Sequence, residues 1–179
     1  PPALGTLAER GRVLSMGSFS KILAPGLRLG WIQAGADLMN QLLDSGWVNS
    51  GGSVNHVTSH IVRAAIDSGL QARHLEHLQA AYRERLLAME SALEREFTDL
   101  ARWERPDGGY FFWLEMTGRE DTSALRPAAL VAGSGFIPGP LFTAGGGFES
   151  YLRLSLAHYD ERQIVTGVRR LAEVVRHNT

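Results

Sequence analysis

Apolar residues recur every three or four positions along one long stretch, and this spacing predicts a helix with one apolar face. The residues of that face are Leu75, Leu78, Tyr82, Leu86, Met89, Leu93 and Phe97. A second helical pattern covers residues 37–47, and a third starts after the glycine-containing break at 49–52 with Ser53 as its N-cap and ends near Gly69. We expect a hinge at the break, and we expect the long helix to lie on a domain core rather than in a coiled coil.

Short apolar runs bounded by turn residues predict strands on either side of these helices. The first two, at 12–17 and 27–34, flank a loop at 18–26. Because a lone pair of strands is marginally stable in water, we expect this pair to belong to a larger sheet. Later elements are a hairpin of 101–105 and 110–116, a helix at 123–133, a strand at 151–156 and a closing helix at 160–176. The second half therefore has the pattern of an α+β unit.

The composition narrows the class of protein. The chain has 179 residues, 44% of them hydrophobic, and a formal charge of −1, which argues against disorder and against nucleic-acid binding by this part. No apolar run approaches the roughly 18 residues of a membrane span, and the first residues lack a signal peptide's pattern. We therefore expect no membrane partner and a cytoplasmic location. The absence of cysteine excludes disulfides, thiolate catalysis and cysteine-bound metals.

One basic residue is unusual among the others. Of 18 basic residues, Lys21 is the only lysine, and the other 17 are arginine. Lysine can lose its proton and attack a carbonyl, whereas arginine stays protonated. Chance survival and a need for a primary amine at this position are, on composition alone, about equally good explanations.

The neighbours of Lys21 favour the functional explanation. Ser18 and Ser20 flank Phe19 just before the lysine, and Arg28 follows after Pro25-Gly26. Hydroxyl groups, loop N–H groups and a guanidinium can together hold a phosphate, and a lysine beside them can form an imine with an aldehyde on the same ligand. Pyridoxal 5'-phosphate (PLP) carries both groups.

Four segments resemble one family. Residues 18–31, 106–113, 136–142 and 151–155 are similar, in the same order, to four motifs of the class I/II aminotransferases of fold type I. The resemblance is strongest to the branch with 2-aminoadipate transaminases and the aminotransferase-like domains of MocR regulators. It implies an α/β fold, here the C-terminal part of the fold-type I PLP-dependent transferase fold, with the last two strands of the large domain and an α+β small domain.

The resemblance also implies roles for single residues. Lys21 would bind the cofactor and move the proton at Cα, while Ser18 and Arg28 would hold the cofactor phosphate, with Ser20 a weaker candidate. Arg153 would bind the substrate α-carboxylate; the alternative for Arg153 is an internal ion pair. The implied reaction transfers an amino group between an amino acid and a 2-oxo acid.

The same resemblance suggests how the chain is divided. We expect residues 1–48 to end a large PLP-binding domain, 49–70 to be a connecting helix and hinge, and 71–179 to be the small domain. Other essential groups of the family lie before its lysine, so we expect the 179-residue chain alone not to transaminate at a useful rate. The family usually forms homodimers, and we expect partner contact between Trp47 and Ser53.

Two other functions remain open: effector sensing in a MocR-type regulator, and another PLP reaction such as β-elimination. Arg153 argues mildly against decarboxylation because it favours retention of the carboxylate. We expect no metal site, since the pairs His56 with His60 and His74 with His77 do not match the His-Glu-x-x-His motif. The glycines at 145–147 are interpreted as a turn, because they lack the Lys and Ser/Thr of a P-loop.

Overall fold

The computed structural model describes residues 3–9, 12–50, 55–118 and 121–178. It divides into two compact units, Pro1–Leu78 and Gln79–Thr179. Each unit is described by itself below. The division of the chain at residues 48 and 70 remains a prediction. In the described residues, no helix is both long enough and apolar enough to cross a membrane.

The first unit begins with an antiparallel hairpin. Strand β1 (Ser15–Ser18) pairs with β2 (Gly30–Gln33) so that Ser18 lies opposite Gly30. This confirms the two strands and the loop between them, with later starts than predicted. Strand β2 starts at Gly30 because the preceding residues form a 3-10 turn and then a left-handed residue, neither of which can pair in a ladder.

Three helices follow the hairpin where the sequence predicted two, so the prediction of one helix at 37–47 is wrong. The stretch 37–47 forms two helices, α1 (Ala36–Leu43) and α2 (Gly46–Asn49), since Ser45 has an extended backbone and interrupts the helical hydrogen bonds. The next helix, α3, covers His56–Asp67, with Asn55 at its N-cap position. The predicted cap Ser53 lies outside the described residues.

The predicted long helix is confirmed as α4, Leu70–Glu96. It begins in the first unit and continues into the second. Burial of its apolar face increases toward the C-terminal half: Leu86, Met89 and Leu93 are buried, whereas Leu75 and Leu78 are only half-buried. The C-terminal half of α4 therefore lies on the core of the second unit, as its hydrophobic pattern predicts.

The second unit is built on a four-stranded antiparallel sheet, in which the strands lie side by side in the order Ala101–Trp103, Phe111–Met116, Tyr151–Ser155 and Ile137–Pro138. Its elements are β3 (Ala101–Trp103), β4 (Phe111–Met116), α5 (Arg126–Val131), β5 (Ile137–Pro138), β6 (Tyr151–Ser155) and α6 (Glu161–His177). The predicted helix at 123–133 is shorter because residues Ser123–Leu125 form a 3-10 turn. The predicted start of the closing helix is confirmed, since the Asp160 side chain accepts from the Gln163 N–H in a capping box.

Alternation along β4 and β6 fixes which face of this sheet is the core. Phe112 and Leu114 of β4 and Leu152 of β6 are almost fully buried, because successive side chains of a strand point to opposite faces. Helices α4 and α6 contribute a large share of the same core, including Leu93 and Leu171. The other face of the same two strands carries the odd-numbered residues, among them Arg153.

Candidate functional site

The loop that carries Lys21 is closed by backbone hydrogen bonds. The Phe19 N–H donates to the Leu29 carbonyl (3.0 Å), which extends the hairpin by one pair. The Phe19 carbonyl accepts from the N–H groups of Leu23 (2.9 Å) and Ala24 (3.2 Å). Lys21 therefore lies in a tight turn, and its side chain is exposed.

Two glycines let the strands of this hairpin approach closely. A Cβ atom at Gly30 would lie 2.7 Å from the Gly17 carbonyl oxygen, and one at Gly17 would lie 2.0 Å from the Trp31 ring. The Trp31 ring instead fills the space above Gly17 and contacts the Phe19 ring, with 4.9 Å between centroids. The base of the loop is thus defined by atoms that leave no room for a side chain at either glycine.

Both predicted serines lie at the start of the loop. Ser18 is the last residue of β1, and its Oγ accepts from the Ser20 N–H at 3.1 Å. This short contact is a local turn that orients the Ser18 hydroxyl. It leaves the hydroxyl hydrogen of Ser18 available to a ligand, since a hydroxyl donates and accepts at the same time.

Arg28 closes the other end of the loop in a strained conformation. Its backbone is left-handed (φ 50°, ψ 38°), which a residue with a side chain rarely adopts. Two contacts accompany this conformation: the Arg28 guanidinium donates to the Pro25 carbonyl (3.3 Å), and the Asn55 side chain donates to the Arg28 carbonyl (3.2 Å). Asn55 was not among the predicted site residues.

The loop has an uncompensated positive charge. No Asp or Glu occurs between Glu9 and Asp37 in the sequence. Among the described residues, no carboxylate forms an ion pair with Lys21 or Arg28. A primary amine, a hydroxyl and a guanidinium on one short loop are the donor set that an aldehyde-bearing phosphate ester requires, so the residues fit PLP.

Arg153 lies in the second unit, on the face of β6 away from the core. It is half-buried and lies opposite Trp113 of β4 in the register. Its guanidinium carbon lies 3.9 Å from the centroid of the Phe111 ring and 4.5 Å from that of Phe142. Within the part of the chain that the structure describes, it has no ion pair, so the alternative prediction of an internal ion pair finds no support.

An aromatic cluster surrounds this arginine. Trp113 stacks on Tyr151 at 5.5 Å and contacts Phe142 and Phe148 edge to face. The pKa of Tyr151 lies above its ordinary value of 10.0, mainly because its surroundings remove the hydroxyl from water, and further because it faces and hydrogen-bonds the Glu115 carboxylate. Loss of water contact and the nearby carboxylate therefore both favour the neutral form of Tyr151.

The sequence did not predict the contacts that Asn55, Phe111 and Phe142 make with the two arginines. Asn55 precedes an apolar helical pattern, as an N-cap does, but its partner is 27 residues away. Phe111 and Phe142 lie inside two of the motifs, yet only the register of the sheet and the turn after β5 bring them to one arginine. In the described ranges, no three His, Asp or Glu residues are grouped to hold a metal ion.

Comparison with known proteins decides the family. The sequence model described as aminotransferase class I and II matches residues 2–171. The chain belongs to this family. The 2-aminoadipate transaminase of Thermus thermophilus is 36% identical over 180 residues, which are 98% of this chain but 44% of that protein. The chain thus spans less than half the length of this relative.

A solved structure confirms the predicted fold class. The crystal structure of LysN, the alpha-aminoadipate aminotransferase of Thermus thermophilus complexed with N-(5'-phosphopyridoxyl)-L-leucine, superposes with a TM-score of 0.84 at 34% identity over 97% of this chain and 44% of that one. A regulator is also similar: the uncharacterized HTH-type transcriptional regulator YdfD of Bacillus subtilis is 28% identical over 98% of this chain and 36% of its own length. The fold is thus the C-terminal part of a fold-type I aminotransferase.

Proposed function

We propose that this chain is the lysine-bearing part of a PLP-dependent aminotransferase that exchanges amino groups between amino acids and 2-oxo acids. The observation that carries the proposal is the loop itself. The only lysine of the chain lies exposed between Ser18 and Arg28 with no carboxylate partner among the described residues. PLP supplies an electron sink that makes the hydrogen on the substrate Cα acidic.

The loop residues have separate tasks in this proposal. Ser18 and Arg28 bind the phosphate, with the hydroxyl as a single donor and the guanidinium as a charged fork. Ser20 adds a second hydroxyl at the same turn. Lys21 would hold the cofactor through its amine, and the same amine would carry the proton from Cα of the substrate to the cofactor carbon that bears the aldehyde.

Arg153 binds the substrate α-carboxylate in the same proposal. A bidentate pair between guanidinium and carboxylate fixes the orientation of Cα, and orientation determines which bond at Cα breaks. Retention of the carboxylate favours proton removal over decarboxylation. The protein would act in the cytoplasm as a homodimer, with the segment from Trp47 as the candidate partner contact, because Trp47 is 85% exposed in the described chain.

Covalent labelling tests the lysine. The chain is incubated with PLP, reduced with borohydride and mapped by mass spectrometry. Lys21 carries the only side-chain primary amine in the sequence, so the assignment is unambiguous. We expect one adduct at Lys21 and none there in Lys21→Ala.

The matched control separates a built site from an ordinary exposed lysine. The double variant Lys21→Ala/Arg83→Lys carries its only lysine on the exposed side of α4. We expect half-labelling of Lys21 at roughly tenfold lower PLP concentration than of the lysine at position 83, a preference of about 1.4 kcal/mol. Equal labelling of the two lysines would contradict the proposal.

The similarity to the regulator YdfD supports a second candidate, an effector-sensing domain of the MocR type. The two functions share the lysine and phosphate groups and differ in the presence of a DNA-binding domain. The coding sequence upstream of residue 1 distinguishes them: a helix-turn-helix segment there would favour the regulator, and further strands of a large aminotransferase domain alone would favour the enzyme.

A further inference from the structure

We infer that Phe111 and Phe142 are positioning residues for Arg153, holding its guanidinium against two ring faces so that its donors point to a carboxylate. This inference rests on the proposed function of Arg153. It concerns how the arginine is held, which neither the family match nor the relatives determine.

The two rings reach Arg153 from different elements. Phe111 lies at the start of β4 opposite Ser155, and Trp113 lies opposite Arg153, so Phe111 is the diagonal neighbour of the arginine on this face. Phe142 ends the 3-10 turn Gly139–Phe142 that follows β5. Convergence of a strand residue and a turn residue on one guanidinium requires the sheet register and the turn to be formed together.

That turn is itself tightly constrained. A Cβ atom at Gly139 would lie 2.1 Å from the Phe148 carbonyl oxygen and 2.9 Å from the Tyr151 Cβ. Gly139 is also buried. The backbone that presents Phe142 is therefore packed directly against the segment leading into β6, which carries Arg153.

No polar group competes with the rings for the guanidinium. The Arg153 Nε is buried without a hydrogen-bond partner, and among the described residues Arg153 forms no ion pair with a carboxylate. A buried polar atom of this kind is costly unless a ligand satisfies it. The Nε of Arg85 is a second such atom in the described chain, so what distinguishes Arg153 is the pair of ring contacts at 3.9 and 4.5 Å.

Aromatic faces suit this task because they fix the guanidinium without consuming its donors. Cation–π contact orients the planar group through the ring quadrupole, whereas a carboxylate partner would occupy the same N–H groups that the substrate needs. The rings also exclude water from one side, which strengthens a later pair with a carboxylate. Phe111 and Phe142 thereby lower the ordering cost of binding.

The first test observes the arginine without a ligand. The Nε–H signal of Arg153 is identified in the arginine region of a ¹H–¹⁵N spectrum of the chain by its loss in Arg153→Lys. We expect this signal to be displaced by ring currents and to move toward the position of a free arginine in Phe111→Leu and Phe142→Leu. Phe148→Leu is the matched control, because Phe148 belongs to the same cluster and is similarly exposed but has no contact with the guanidinium.

The second test adds pyruvate, with pyruvamide as the probe that lacks the carboxylate. We expect pyruvate to shift the Arg153 signal, with an affinity about three- to tenfold lower in Phe111→Leu and Phe142→Leu than in Phe148→Leu. Phe142→Tyr keeps an aromatic ring at this position, so its affinity for pyruvate should stay close to that of the wild type. A merely structural role of the phenylalanines would lower thermal stability without this pattern.

The outcomes separate the two claims. Equal pyruvate affinity in Phe142→Leu and Phe148→Leu, or an unmoved Arg153 signal in both leucine variants of the ring pair, would overturn the positioning role while leaving Arg153 a carboxylate site. A wild-type chain whose Arg153 signal responds to the ring variants but not to pyruvate would instead overturn the carboxylate role of Arg153 in the proposed function.

Discussion

Backbone contacts shape the loop of Lys21 in the first unit, whereas side-chain packing holds Arg153 in the second. The loop depends on turn hydrogen bonds, on a left-handed Arg28 and on two glycines that allow close approach. Arg153 depends on the rings of Phe111 and Phe142. Directed N–H and O–H donors bind a phosphate, and the backbone geometry of a loop can orient them. A guanidinium that must keep its N–H donors free for a ligand is better held by aromatic rings, because rings do not use those donors.

The two units also differ in their cores. In the second unit, twenty apolar residues from Leu86 to Val175 form one buried cluster. In the described part of the first unit, Ala8 and Val62 are the buried apolar residues, and Met16 of β1 is 75% exposed. Substitutions should therefore act through packing in the second unit and through backbone geometry in the first.

The largest effect is expected from Leu171→Ala. Leu171 of α6 is fully buried, and removing its side chain should lower the free energy of unfolding of the second unit by about 2–5 kcal/mol. Urea unfolding combined with hydrogen exchange measured peptide by peptide checks this. The matched control Leu130→Ala removes a 60% exposed leucine of α5 and should change stability by less than about 0.5 kcal/mol. Comparable losses in both variants would contradict the assigned core.

A smaller effect is expected from Gly30→Ala. Its Cβ would lie 2.7 Å from the Gly17 carbonyl oxygen, so the hairpin must open, at a cost of about 1–3 kcal/mol. Hydrogen exchange of the Phe19 amide, which closes the loop, should accelerate. Gly26→Ala is the control, since nothing lies within 4 Å of its Cβ position. If Gly26→Ala loosened the loop as much as Gly30→Ala, close strand approach would not be what defines the loop.

Asn55→Ala should lower the free energy of unfolding by a smaller amount, about 0.5–1.5 kcal/mol, because it removes one hydrogen bond to the Arg28 carbonyl. The same exchange measurement on the loop amides reports it. Asn40→Ala, an exposed change within α1, should leave the loop unaffected. An unchanged loop in Asn55→Ala would mean that Arg28 keeps its left-handed backbone without this contact.

The smallest effect concerns pH and the second unit. Because the pKa of Tyr151 is raised in the folded chain, the neutral hydroxyl beside Glu115 stabilises the fold fully below pH 10. This contribution is lost as the pH rises through the raised pKa. Between pH 9 and about pH 11, the unfolding temperature should therefore fall more steeply for the wild type than for Tyr151→Phe. Parallel curves would show that Tyr151 titrates in the folded chain as it does in the unfolded one.

Much of the second unit could be predicted from the sequence, because periodicity and burial agree there. The apolar stripe on α4 is a local pattern that predicted its helix, and the alternation in β4 and the cap at Asp160 are local patterns of the same kind. The first unit was harder. The break between α1 and α2 is local. The apolar residues around Asp44 and Ser45 keep the helical spacing across it, so the hydrophobic pattern did not indicate the break.

The candidate site was predictable as a list of residues but not as an arrangement. Ser18, Ser20, Lys21 and Arg28 are close in sequence, so one loop had to contain them. The left-handed backbone of Arg28 could not be predicted from the sequence, because such positions usually carry glycine or asparagine. The ring contacts of Arg153 depend on side chains 42 and 11 residues away in sequence, which the pairing of β4 with β6 and the turn after β5 bring together.

The central claim is that the first loop binds an aldehyde and a phosphate of one ligand, and the most direct test compares PLP with pyridoxal, which lacks the phosphate. The extent of reduced adduct at Lys21 is measured against the concentration of each. We expect PLP to label Lys21 at roughly tenfold lower concentration than pyridoxal, and Arg28→Gln to remove this preference while Arg83→Gln on α4 retains it. Equal labelling by the two compounds in the wild-type chain would contradict the phosphate site, and with it the account of this loop.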